Sequence, residues 1–153
     1  MLTRFLSVLV TATCATVVLV AVVPAGALSA DTVKLSPPVI HESFTVLPCA
    51  GVPKDRSTLE EEGCAEHQIL RTDSSIDTLN NTIFANLADD SARRQFIAGH
   101  QAWLAYRHAY CLSMSDIFEG GTEAGLVDAD CVASINGEHI KDLKEFVRNV
   151  SSG

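Results

Sequence analysis

The sequence predicts an all-α protein: a small antiparallel three-helix bundle, stapled by two disulfides and preceded by an irregular proline-containing segment. Three observations carry this reading. Apolar residues recur at spacings of three and four through most of residues 57–150, with no strand-like alternation. Pro37, Pro38, Pro48 and Pro53 crowd into residues 31–56 and forbid a helix of any length there. Cys49, Cys64, Cys111 and Cys131 follow an apolar N-terminal run, and an even cysteine count suits an exported chain.

The N-terminal segment, residues 1–30, holds one charge, Arg4, ahead of an apolar run from Leu6 to Val23. Pro24 breaks the run, and the small residues from Ala25 to Ala30 offer cleavage sites, so we read a signal peptide. The run is long enough to serve as an anchor instead, but the small residues stand where a signal peptidase cuts. Cys14 lacks the Leu three positions back that a lipid-attachment site uses, and the apolar run continues past it. Residues 31–56 follow as an extended, partly disordered lead-in pinned at Cys49, with Phe44–Leu47 packing as an extended segment.

Ser57 and Glu60 form a capping box that opens the first helix, whose apolar stripe is Leu59, Ile69, Ile76, Leu79, Ile83 and Leu87. A break is expected near Gly63. The second helix has the clearest pattern: Phe96, His100, Trp103, Arg107, Tyr110, Met114 and Ile117 recur at fours and threes. This predicts about seven turns with a broad buried face, ended by Gly120 and Gly121. The third helix spans Thr122 to Val150 along Leu126, Val127, Cys131, Ile135, Ile140, Leu143, Phe146 and Val147, with a kink expected at Asn136-Gly137.

Four cysteines allow three connectivities, and the sequence does not choose among them. We expect nearest-neighbour pairing, Cys49 with Cys64 and Cys111 with Cys131, each loop contributing roughly 3 kcal/mol in the chain-entropy model. Cys64 with His67, three apart, and His100 with His108, eight apart, are the candidate metal pairs. No CxxC or HExxH occurs, and oxidation competes for the thiols, so no metal or other cofactor is expected.

Without the leader, 10 Lys and Arg stand against 19 Asp and Glu, a net charge of −9. That balance excludes nucleic acid and anionic membrane surfaces as partners and favours a cationic protein. Once the leader is cleaved, no stable membrane insertion is expected. The five histidines are scattered, the carboxylates lie on presumed solvent faces and the thiols are oxidised, so no catalytic constellation is read.

The second helix contains His100, Trp103, Arg107 and Cys111, followed by Gly120-Gly121 and Cys131. The first contains Leu79-Asn80, and a Cys pair lies near the start. This order resembles the lysozyme inhibitor LprI-like family of small exported bacterial proteins, over about Cys49 to Phe146. Three positions depart from the family pattern. His100 stands where the family has Gln, His108 where it usually has an acidic residue, and His139 near its late Arg.

The resemblance implies an exported protein-binding module that inhibits lysozyme-type muramidases. An immunity-like or other cell-envelope binding protein is the alternative, and a small-molecule or metal binder using His100 and His108 is a third reading. Leu79, Asn80, His100, Trp103 and Arg107 are read as the structural motif. Arg107 is expected to lie across Trp103 or to pair with a buried carboxylate. The stretch Asp116–Asp130 has no Lys or Arg. It reads as an acidic loop held between Cys111 and Cys131, with Glu119, Gly120, Gly121, Glu123, Asp128 and Asp130 as the partner-binding residues. Glu60-Glu61-Glu62 reads as ordinary first-turn charge at a helix N-terminus.

Overall fold

The computed structural model describes residues 34–42 and 44–152. The expected leader, residues 1–30, lies outside them. Three helices make up the fold: α1 (Thr58–Asn86), α2 (Asp90–Ser115) and α3 (Thr122–Ser151). There is no strand among the described residues. Short turns make consecutive helices antiparallel, which leaves α1 and α3 parallel. The pairings fix this order. Asn136 meets Thr72 and Asp73, and Gly125 abuts Glu62, both in parallel register. Cys111 meets Cys131 and Phe96 meets Phe146, in antiparallel register.

Local chemistry sets the helix ends. Ser57 caps α1 as one half of a reciprocal capping box with Glu60. Asp89 caps α2 by accepting from the Ala92 N–H at 2.8 Å. The second helix ends earlier than Gly120-Gly121. A 3-10 turn, Asp116–Phe118, follows it, and Glu119 and Gly120 make the exit at φ 49° and 75°. Glycine supports that left-handed turn at little steric cost.

Neither expected break occurs. α1 runs unbroken through Gly63 because that glycine receives the lead-in. A Cβ there would lie 2.5 Å from the Pro48 carbonyl oxygen and 2.9 Å from that of Leu47. α3 runs unbroken through Asn136 because that residue, fully buried, is held by partners from both other helices.

The described part of the lead-in is pinned at more than Cys49. It runs antiparallel along α1 as a strap. Asn80 Nδ2 donates to the Pro38 carbonyl, Asp77 accepts from the Ile40 N–H, and Glu66 accepts from the Leu47 N–H. Cys49–Cys64 then closes its end, and Cys111–Cys131 ties α2 to α3 as expected. Ile40 of the strap joins Ile76, Ile83 and Leu143 in the main core, against which Leu79, Phe96 and Trp103 pack. Ala65, Ile69 and Ala129 form a second cluster between α1 and α3.

The α2 stripe is buried only in part. His100, Arg107, Cys111 and Ser115 are buried, but Tyr110, Met114 and Ile117 are exposed. Tyr110 and Met114 border a surface cleft with Val127, Asp130 and Ile135 of α3, and Ile117 lies beyond α2 in the 3-10 turn.

Two glycines test the strap. Gly63→Ala should destabilise by roughly 1–3 kcal/mol, because backbone must move to admit the methyl. Gly137→Ala, where a Cβ meets nothing, should stabilise by about 0.5–1 kcal/mol. Urea denaturation of the oxidised proteins reads both.

Candidate functional site

Arg107 sits where all the elements meet. Its Nη1 donates to Asp73 Oδ1 of α1 at 2.9 Å and to Asn136 Oδ1 of α3 at 2.8 Å. Its Nη2 donates to Glu42 of the strap. The Asn136 amide donates in turn to Thr72 Oγ1 and Asp73 Oδ1. The guanidinium also lies over the Trp103 ring, 5.2 Å from its centroid. Trp103 stacks on His139 of α3 at 3.9 Å and 16°. Trp103 and Arg107 therefore join helices to one another.

One guanidinium faces two carboxyl groups here. Burial pushes Asp73 up to about 6; Arg107 pulls the other way, and the nearby Glu42 adds to the rise. The buried Asp73 Oδ2 has no hydrogen-bond partner. Burial has the opposite sign for the imidazoles. It lowers His100, and it lowers His139 to about 4, with the nearby His100 and Arg107 adding to the fall.

The sequence pattern points to neither Glu42 nor Asp73 as a site residue, and to Asn136 only as a kink. A signal existed for two of them: Asp73 lies on the buried stripe between Ile69 and Ile76, and Asn136 shares α3's inner face with Leu143. A carboxylate and an amide on apolar stripes call for buried partners. Glu42 left no such trace.

The acidic segment is not one loop. Only Glu119, Gly120 and Gly121 lie in the turn, where all three are exposed. Glu123, Asp128 and Asp130 are on α3, because the chain re-enters helix at Thr122. Gly125 does not loosen that helix; it admits the Glu62 carboxylate of α1. Glu123 and Asp130 are exposed, and Asp128 is half-buried.

Parallel α1 and α3 bring two acidic clusters to one end of the bundle. Burial first, and then Glu66 and Asp128, raise Glu62. Burial and Glu61 raise Asp130. Burial raises Asp128, while His108 opposes the rise and Glu42 adds to it. The Glu60-Glu61-Glu62 run is thus part of a shared acidic pole, beyond its role at a helix terminus. A cleft of about 310 Å³ opens there between Glu62, Glu66, His108 and Asp128.

His100 and His108 are not brought together. His100 is buried against Asn80 and Trp103, whereas His108 is exposed beside Asp128. Among the described residues, no three His, Cys, Asp or Glu side chains converge as metal ligands. No described helix is long and apolar enough to cross a membrane.

The Asp73 carboxyl gives a pH test. Its raised pKa favours the folded state below about pH 4, and that contribution fades as pH rises through about 6. The lowered imidazoles act oppositely, withdrawing stability as pH falls through the ordinary histidine range. Comparison with Asp73→Asn isolates the carboxyl. The wild type should gain stability relative to the variant as pH falls from 7 to 4, read by urea denaturation at each pH. A constant difference would mean that Asp73 titrates normally.

Residues 49–143 match the family model described as lysozyme inhibitor LprI, a span that contains both disulfides, Asn80, Trp103, Arg107 and the acidic pole. No curated protein and no solved structure matches the chain. On the strength of that match, the chain belongs to the lysozyme inhibitor LprI family.

Proposed function

We propose that the protein is an exported inhibitor of lysozyme-type muramidases, and that its acidic pole makes the contact. Family membership supports the target class. Two disulfides in a small bundle suit an oxidising compartment outside the cytosol. The observation that carries the contact surface is the convergence of Glu61 and Glu62 with Asp128 and Asp130 across parallel helices.

The α2–α3 turn extends the same end. Ile117 is 76 % exposed there, with Asp116, Glu119 and Glu123 near it in sequence and no Lys or Arg among them. A muramidase cleft is a groove with two carboxyl groups at its centre. An apolar side chain ringed by carboxylates fits such a groove when its rim is basic: the ring steers the approach and the apolar group fills space. Repulsion among the crowded carboxylates is relieved when a cationic surface covers them. Cys111–Cys131 ties the two helices just below the turn, so little order has to be created on binding.

Turnover of labelled cell walls by a basic lysozyme, with and without the oxidised protein, tests this. Inhibition should weaken as salt rises. Replacing the exposed Glu61, Glu119, Glu123 and Asp130 together by Lys should weaken it by roughly 10- to 100-fold at low salt and flatten the salt dependence. Full inhibition by that variant would remove the acidic pole from the contact. No inhibition by the wild type at micromolar excess would move the target to another envelope component.

A further inference from the structure

Two clefts open between α2 and α3, of about 400 Å³ and about 290 Å³. They meet at Ser134 and Ile135 and so make one groove along the helix pair. Among the described residues, the whole lining comes from α2 and α3. Tyr110, Met114 and Val127 line one end, and Trp103 and Tyr106 the other.

The spacing of α2 creates the apolar wall. Tyr106, Tyr110 and Met114 stand four apart and share one flank of the helix, and all three are exposed. A lone exposed apolar residue needs no explanation, but a row of them on one face marks an interaction surface. Tyr106 and Tyr110 also stack on each other, with ring centroids 5.6 Å apart and planes 26° apart. Each ring restricts the other's rotamers, which lowers the ordering cost of binding. Tyr and Met are residue types enriched in the cores of protein interfaces.

Charge selects the occupant. Asp130, Glu138 and Asp142 border the groove, and no Lys or Arg is among its described lining. Lys141 reaches Glu138 at 2.6 Å, but both side chains are exposed, so that pair contributes little. An apolar wall beneath a carboxylate rim suits a partner that offers an apolar side chain flanked by Lys or Arg. Without the leader, 19 Asp and Glu stand against 10 Lys and Arg, so a second copy of the chain is repelled. Asp130 joins the groove to the acidic pole: it feels the charge of Glu61 there and lines the groove here. The pole supplies mainly carboxylates, whereas stable interfaces also place an apolar core inside a polar rim.

We propose, resting on the inhibitor reading above, that this groove is the apolar half of the muramidase contact. It seats an apolar side chain that is flanked by Lys or Arg on the enzyme's surface. The acidic pole steers the approach, and Tyr106, Tyr110 and Met114 hold the complex together.

Association and dissociation rates against an immobilised basic lysozyme, read by surface plasmon resonance, test this. The double variant Tyr106→Ala, Tyr110→Ala should speed dissociation by roughly tenfold or more and leave association within about twofold. Ser134→Arg sets a cation at the middle of the groove, on an exposed helix position that favours arginine over serine. It should also shorten the lifetime of the complex by roughly tenfold or more. Both variants change exposed side chains, so their urea midpoints should stay close to the wild type. The fourfold Lys variant of the pole should instead act chiefly by slowing association. An unchanged lifetime in either folded groove variant, with the wild type bound, would overturn the groove and leave the pole contact standing. No binding by the wild type would overturn both. A dimer of the free protein that Ser134→Arg dissolves, seen by sedimentation, would assign the face to a second copy and overturn the proposal.

Discussion

Burial of the Arg107 guanidinium is the constraint on which the rest of the molecule depends. A charge removed from water demands compensation from every side, and each structural element supplies one part: Asp73 from α1, Asn136 from α3 and Glu42 from the strap. Removing one partner of such a group costs roughly 3–5 kcal/mol, a large fraction of the stability of a small domain. A well-packed apolar group in its place would often be no less stable. The network therefore serves register more than strength. Sliding α3 against α1 by one turn would separate Asn136 from Thr72 and Asp73 and leave a buried amide unpaired.

Much of the fold was legible because it rests on local pattern. The Ser57–Glu60 box, the helical spacings and the prolines before residue 57 each act within a few residues. The nearest-neighbour disulfides are the expected pairing, which the cysteine count alone does not select, and short loops close at low entropic cost. What escaped is non-local. Glu42 is an unremarkable carboxylate until it is placed beside an arginine sixty-five residues away. Tyr110, Met114 and Ile117 continue a perfect stripe, yet periodicity states only that they share a face, not that anything covers it. The acidic stretch was read as a loop from its glycines, but Gly125 serves a close approach to Glu62 rather than a turn.

The acidic pole follows from an odd number of helices. With two antiparallel reversals, α1 and α3 begin at the same end, so their N-terminal dipoles point positive charge there together. Carboxylates are favoured at each terminus separately, and the bundle then gathers them. Local helix chemistry and global charge asymmetry thus share one cause. The opposite pole, where the same helices finish, carries a cleft bordered by Asn80, Gly99 and His100.

The strap also dictates when the protein can finish folding. A chain is delivered N-terminus first, whether from the ribosome or across a membrane. Glu42 and the Pro38 carbonyl arrive at the outset and have nothing to bind. Asp77 and Asn80 come next, Arg107 later, and Asn136 only when α3 is emerging. The ion pairs can form once Arg107 has appeared, but the buried network is complete only when Asn136 joins it. The strap's full set of partners is therefore assembled only after α3 has followed it.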